Sequence, residues 1–566
     1  MMSDKNTQEG NSKERSQPLR RGKACLNCRH LKIKCDGIRP VCGPCTRVKK
    51  DDPCEYTDVA SRTKELENTI LALRTRINEL EGAPTSSTIS LRVQDPSLTG
   101  RSSPSCSSSG SRSSPQSVSN TENTFLGTEE PPLVIIRILL DSFLPHSTQF
   151  GFFLHLDNFR NSALLPVPFG HILRPSRALL STAYLWGANL SQSQPLLSSE
   201  GVFLRRAQQH IATEISDSDN PAHLLHTIQA QVLLSTYMFR IKRFLEAEFH
   251  ANGAATLVIG YQLHKIRSAR PNLPPALDIP ALNENHPGPP QSALEEGERI
   301  RAFWAVACLQ NGLNISLPAA SMNFSIFESC SADIDTPWPM EIADYEAGLL
   351  SPTYEGQQTI KAWLTDDIPL TGAPSMLKTQ AGILLQRATR LGSKWSPEMQ
   401  PQELASYRTS WLWLDDRINK FWGRLSPLYN FYTDSATART LVIAYAMAAA
   451  AAIKLHISQS SGDEEAHAKC ISAARAILAC LGDTNIPDLT ISHPIVGSLC
   501  MLACRVLMDE VRRTKMTQGA WGQIASLPPS LADLKKGIAT MQMYALGSPL
   551  IEYQLTKLQQ QYESLS

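Results

Sequence analysis

Six cysteines within thirty residues constrain this chain more than any other feature. Cys25, Cys28, Cys35, Cys42, Cys45 and Cys54 follow the pattern C-x2-C-x6-C-x6-C-x2-C-x8-C, two similar halves joined by a loop that carries Pro40. A module this small has little apolar core, so its fold has to be organised by the thiols themselves. Structural zinc takes four ligands, and clustered cysteines at short spacing are its usual donors. Two zinc ions need eight thiolate bonds. Six thiolates supply eight only if two of them bridge both metals, and the twofold pattern assigns the bridges to the first cysteine of each half, Cys25 and Cys42. The cluster stays anionic after binding two Zn2+, and neighbouring Lys and Arg offset that charge.

The bulk charge hides the partner that this module implies. The 566 residues carry 54 Lys and Arg against 53 Asp and Glu, yet from Arg15 to Lys50 there are eleven basic residues and one acid, Asp36. Such a stripe is the electrostatic footprint of a nucleic-acid interface. The first residues, MMSDKNTQEG, have no apolar segment of the secretory kind, so a reducing, intracellular setting is expected. In that setting a disulfide framework is not expected. A RING-type module would show eight ligands with a His among them. The other seven cysteines (106, 308, 330, 470, 480, 500 and 504) are scattered, mostly in apolar surroundings that read as buried thiols.

The residues CLNCRHLKIKCDGIRPVCGPCTRVKKDDPCEY resemble the DNA-binding module of the fungal zinc binuclear cluster transcription factors. In that family each half is a short helix and an extended strip wrapped on the metals, and a Lys late in the first helix reads a CGG triplet. The resemblance places Lys32 at that position, where a flexible cation reaches guanine O6 and N7. It assigns Arg29 and Lys34 to phosphate contacts; Lys23 and His30 complete the expected DNA-binding set, although His30 stands where Arg is common. Leu31 stands where many members carry another basic residue. The resemblance also implies nuclear localisation, control of RNA polymerase II transcription and transcriptional coregulators as partners.

After the module, SRTKELENTILALRTRINELEG places apolar residues at Leu66, Ile70, Leu73, Ile77 and Leu80, alternating four and three apart. Ile at a and Leu at d favour a parallel two-stranded coiled coil, and Arg62 and Arg76 at g face Glu67 and Glu81 at e of a partner chain. A homodimer is therefore expected, against the alternative of one amphipathic helix packed on its own body. The expected organisation is a disordered tail (1–18), the zinc module (19–60), a coiled coil (61–82), a disordered Ser/Pro-rich linker (83–130) and a large all-α body (131–566). The linker, with runs such as RSSPSCSSSGSRSSPQS, lacks the apolar groups to fold.

The body reads as irregular helices without a fixed-period repeat, broken by a proline-rich stretch from Pro271 to Pro290. PPLVIIRILLDSFLP has a proline start and a proline stop. The apolar run Leu441 to Ile453 is shorter than the roughly 18 to 20 residues of a bilayer span, so a buried alanine-rich helix is expected and no membrane association. Thr256 to His264 and Gly297 to Ser321 resemble the same family's all-α regulatory domain. There Phe303, Trp304, Leu309 and Pro318 match, while Gln310 and Asn311 replace a charged pair.

Enzymatic motifs (HExxH, GxGxxG, a phosphate loop, GxSxG) do not occur, so catalysis is not expected. His223 and His226 share a helical face but lack a nearby Cys or carboxylate cluster and read as ordinary histidines. Phe303 and Trp304 read as core. Two rivals to a dimeric DNA-binding regulator remain: a small-molecule sensor or enzyme in the body that the zinc module only targets, and a zinc-dependent interaction scaffold.

Overall fold

The computed structural model describes residues 24, 25, 28, 31–47, 54, 128–216, 223–270, 288–317, 326, 334–365, 372–425, 435–482, 491–519 and 529–564. The expected tail, the coiled-coil positions Leu66, Ile70, Leu73, Ile77 and Leu80, nearly all of the linker, and Lys23, Arg29 and His30 lie outside these residues. The chain divides into two compact units, Met1–Ser113 and Ser114–Ser566.

The regular structure of the second unit is helical throughout the described residues, and its single β-bridge joins Ser268 to Gly356. Local chemistry sets many of the helix ends. Ser176 accepts the Leu179 amide at 3.3 Å to start the helix Arg177–Leu190, and Ser292 accepts the Glu295 amide at 3.1 Å to start Ala293–Ser316. In PPLVIIRILLDSFLP the α-helix spans Leu133–Phe143. Pro145, which has no amide proton to donate, sits in the first turn of a 3-10 helix, Leu144–Phe150, that continues the chain. Glu130 is already fastened to this unit. Its carboxylate takes two bonds from the Arg174 guanidinium (2.8 and 2.6 Å) and one from the Tyr184 hydroxyl (2.7 Å).

One hydrophobic core runs from Ile136 to Leu558. Trp186 anchors its first half, fully buried, stacked on Phe150 at 3.9 Å and donating to the Leu233 carbonyl at 3.0 Å. Its second half is built on the helix Ser435–His456, which contains the apolar run and both charged residues that bracket it, Arg439 and Lys454. By length and composition this helix is apolar enough to cross a membrane, with a mean hydropathy of 1.5, but 72% of that window is buried inside the unit. It is a core helix. Its alanines keep it slim, and its most extensive partner is Pro374–Gly392. At Gly392 the helices approach so closely that a Cβ would lie 2.2 Å from the Lys454 carbonyl oxygen.

The residues singled out in the body take structural places. Phe303 is buried and Trp304 stacks on Trp338 at 4.8 Å. Gln310 and Asn311 are buried amides: Gln310 donates to Asn252 at 2.9 Å and accepts the Ile326 amide at 3.1 Å, and Asn311 donates to the Gly382 carbonyl at 2.7 Å. His223 and His226 stand 5.9 Å apart, and His226 Nδ1 accepts the Ser176 amide. Burial pushes His226 down to about 4, so it serves as a neutral acceptor. Cys470, Cys480, Cys500 and Cys504 are buried, and Cys308 is partly so.

Candidate metal centre and nucleic-acid interface

The first unit is built from two turns of backbone and one carboxylate. In the first half the Ile33 amide bonds back to the Cys28 carbonyl at 3.0 Å, spanning Lys32 in the left-handed region at φ 53°. This six-to-one bond around a left-handed residue is the Schellman helix stop. Lys32 therefore sits in a left-handed turn, where glycine is usual. In the second half Cys42 precedes the helix Gly43–Arg47, and the Thr46 amide and hydroxyl both donate to its carbonyl at 2.9 and 3.0 Å.

Asp36 ties the halves together. Its carboxylate accepts the Gly43 amide at 2.9 and 3.1 Å and the Ile38 amide at 3.3 Å. Gly43 allows that approach, because a Cβ there would lie 2.4 Å from Asp36 Oδ2. Sequence reasoning passed over this pair. The available signals were a lone acid in a basic stripe and a glycine directly after the fourth cysteine.

The six sulfurs converge. Those of Cys25, Cys28, Cys35 and Cys42 lie within 4.8 Å of one another, as do those of Cys25, Cys42, Cys45 and Cys54. Cys25 and Cys42 belong to both sets. The separations are 3.6 Å for Cys25–Cys42, 3.7 Å for Cys25–Cys45, 3.5 Å for Cys28–Cys42 and 3.9 Å for Cys28–Cys45. Zn–S bonds of about 2.3 Å give a tetrahedron with edges of about 3.8 Å, so the spacing suits zinc. Amides serve the sulfurs as well: Cys28 N donates to Cys25 Sγ at 3.4 Å and Cys42 N to Cys54 Sγ at 3.5 Å.

Burial raises the thiols of Cys25 and Cys42 and pushes Cys28 up to about 12, while the Cys42 amide lowers Cys54. Packed together without a cation, most of these thiols hold their protons. A metal ion that takes them as thiolates must displace those protons.

Around the sulfurs the described surface is open. Lys32 and Lys34 are exposed, as are Leu31, Ile33, Ile38 and Val41. The apolar side chains flank the two lysines instead of entering a core, because the sulfur cluster occupies the centre that a core would fill.

Residues 23–63 match the fungal Zn(2)-Cys(6) binuclear cluster domain. The first unit carries a zinc cluster domain of this kind. The transcriptional activator protein acu-15 of Neurospora crassa is 40% identical over 72 residues, which make up 12% of this chain and 8% of that protein. The likeness thus reaches less than a tenth of that relative. No solved structure matches the chain. The zinc cluster domain accounts for all six clustered cysteines.

Proposed function

We propose that the chain is a zinc-dependent, sequence-specific DNA-binding transcription factor that acts in the nucleus as a homodimer on CGG-like half-sites and regulates RNA polymerase II transcription. Two zinc ions sit in the two sulfur sets, with Cys25 and Cys42 as bridges. The observation that carries this reading is the pair of four-sulfur sets, each within 4.8 Å, sharing those two cysteines, with Lys32 and Lys34 exposed nearby in the chain. Lys32 reads bases, Arg29 and Lys34 face the phosphates, and Lys23 and His30 belong to the same DNA-binding set. Leu66, Ile70, Leu73, Ile77 and Leu80 form the dimer seam that sets half-site spacing, and the helical body modulates output with coregulators.

In vitro selection of DNA sites by the full chain, with native mass spectrometry of the bound zinc, tests it. Enrichment of paired GC-rich triplets and two zinc ions per chain are expected. A single zinc ion sinks the bridged cluster, and no enrichment would favour the interaction scaffold.

A further inference from the structure

The helical body carries a half-open cavity of about 230 Å3, larger than the roughly 150 Å3 hole that accommodates a benzene ring. Phe150, Phe153, Phe239, Trp304, Ile443 and Met447 give it apolar walls. Three charged side chains reach it. Two of them satisfy each other: Arg301 Nη1 lies 3.6 Å from Glu341 Oε2, and Glu341 also accepts the Ser375 amide at 3.1 Å. The third, Lys378, makes no hydrogen bond or ion pair with any described residue. Burial lowers its pKa, outweighing the weaker opposing pull of Cys308 and Glu341, neither of which stands within ion-pair distance of it.

Two polar groups on the same walls are also incompletely used. His493 Nδ1 accepts the Ile495 amide at 3.2 Å, which leaves Nε2–H as a donor on a ring that burial keeps neutral. Asn311 gives its amide proton to Gly382, but its buried Oδ1 has no partner. An acceptor without a donor, a spare imidazole N–H and an ammonium without an ion pair around an apolar hollow describe a ligand by its complement.

We propose that this cavity binds a small monocarboxylic acid with an apolar body and one hydroxyl. The carboxylate pairs with Lys378, aided by His493 Nε2–H, the hydroxyl donates to Asn311 Oδ1, and the apolar body lies against Phe150, Phe239 and Trp304. The site is separate from the zinc cluster domain, and the proposal does not rest on the DNA-binding reading.

Calorimetric titration and thermal shift of the zinc-loaded full chain test it with three probes: phenyllactate, its neutral amide phenyllactamide, and hydrocinnamate, which lacks the hydroxyl. Phenyllactate is expected to raise the melting temperature and to bind about tenfold more tightly than either analogue, the worth of one charged or well-made buried hydrogen bond. Lys378→Met should erase the preference for acid over amide. Lys378→Gln serves if Lys378→Met does not fold. Gly312 lines the cavity with no atom within 4 Å of a would-be Cβ. Gly312→Leu should fill the space and abolish binding of all three probes. No binding of phenyllactate, equal affinity for acid and amide, or an unchanged preference in Lys378→Met overturns the proposal. Equal affinity for hydrocinnamate overturns the role given to Asn311, and wild-type binding by Gly312→Leu overturns the location.

Discussion

Asp36 accepts the Gly43 amide with both carboxylate oxygens, at 3.1 and 2.9 Å, and so joins the strip after the third cysteine to the helix after the fourth. The pair is expected to control how firmly the cysteines are held. Gly43→Ala drives a methyl group into the carboxylate, and Asp36→Ala strands two amides. Each should cost about 1 to 3 kcal/mol of folding free energy, read as a weaker hold on zinc in competition with a chelator. Parental zinc affinity in both variants would remove the bridge from the account.

Lys32 occupies a left-handed turn that costs a side chain about 1 kcal/mol and glycine little. Lys32→Gly should therefore hold zinc slightly better than Lys32→Ala, while both lose about 1 to 3 kcal/mol on the selected DNA site and flatten its base preference. Lys34→Ala should instead weaken all sequences alike and lower the slope of log K against log salt by about one. Titrations against specific and scrambled duplexes at several salt concentrations separate these outcomes. Equal losses of Lys32→Ala on both duplexes would remove Lys32 as the reader.

Replacing Leu73 and Ile77 together with Asp should abolish the proposed seam, leaving a monomer that binds a single half-site weakly. Sedimentation of the full chain and the variant checks this. A parental chain that is monomeric at DNA-binding concentrations would end the dimer proposal.

Glu130 and Arg174 form a largely buried, bidentate pair at the start of the helical body. Glu130→Ala should leave the guanidinium buried with no counter-charge, at a cost of about 3 to 5 kcal/mol. The melting temperature should fall by several degrees. A double variant, Glu130→Ala with Arg174→Met, should recover most of that loss.

Three histidines give stability a defined pH dependence. Burial pushes His226 and His250 down to about 4 and His493 to about 3, from an ordinary 6.5. The unfolded chain therefore takes up protons at these sites in a pH range where the folded chain refuses them. Their stabilisation is fully present above pH 6.5 and is lost as pH falls towards 4 and then 3. Within that window each site contributes a slope of about 1.4 kcal/mol per pH unit. Denaturant titrations between pH 7 and 4 should show the loss, and His250→Gln, which keeps a hydrogen-bonding partner for Gln231, should lessen it.

The clustering of six cysteines as a zinc-binding module was legible in the sequence, because thiol spacing is local and countable. The helical class of the body and the core fate of Leu441 to Ile453 were legible for a similar reason: periodicity and run length are properties of neighbours along the chain. Tertiary structure alone decided the rest. That Asp36 reaches Gly43, and that Lys32 takes a left-handed turn, follow from how the backbone closes around six converging sulfurs. Lys378 stands on a helix like any other lysine in the sequence. Its unpaired place in a cavity depends on helices far apart in the chain meeting around it, and pattern along one segment carries no information about which distant charges it will lack.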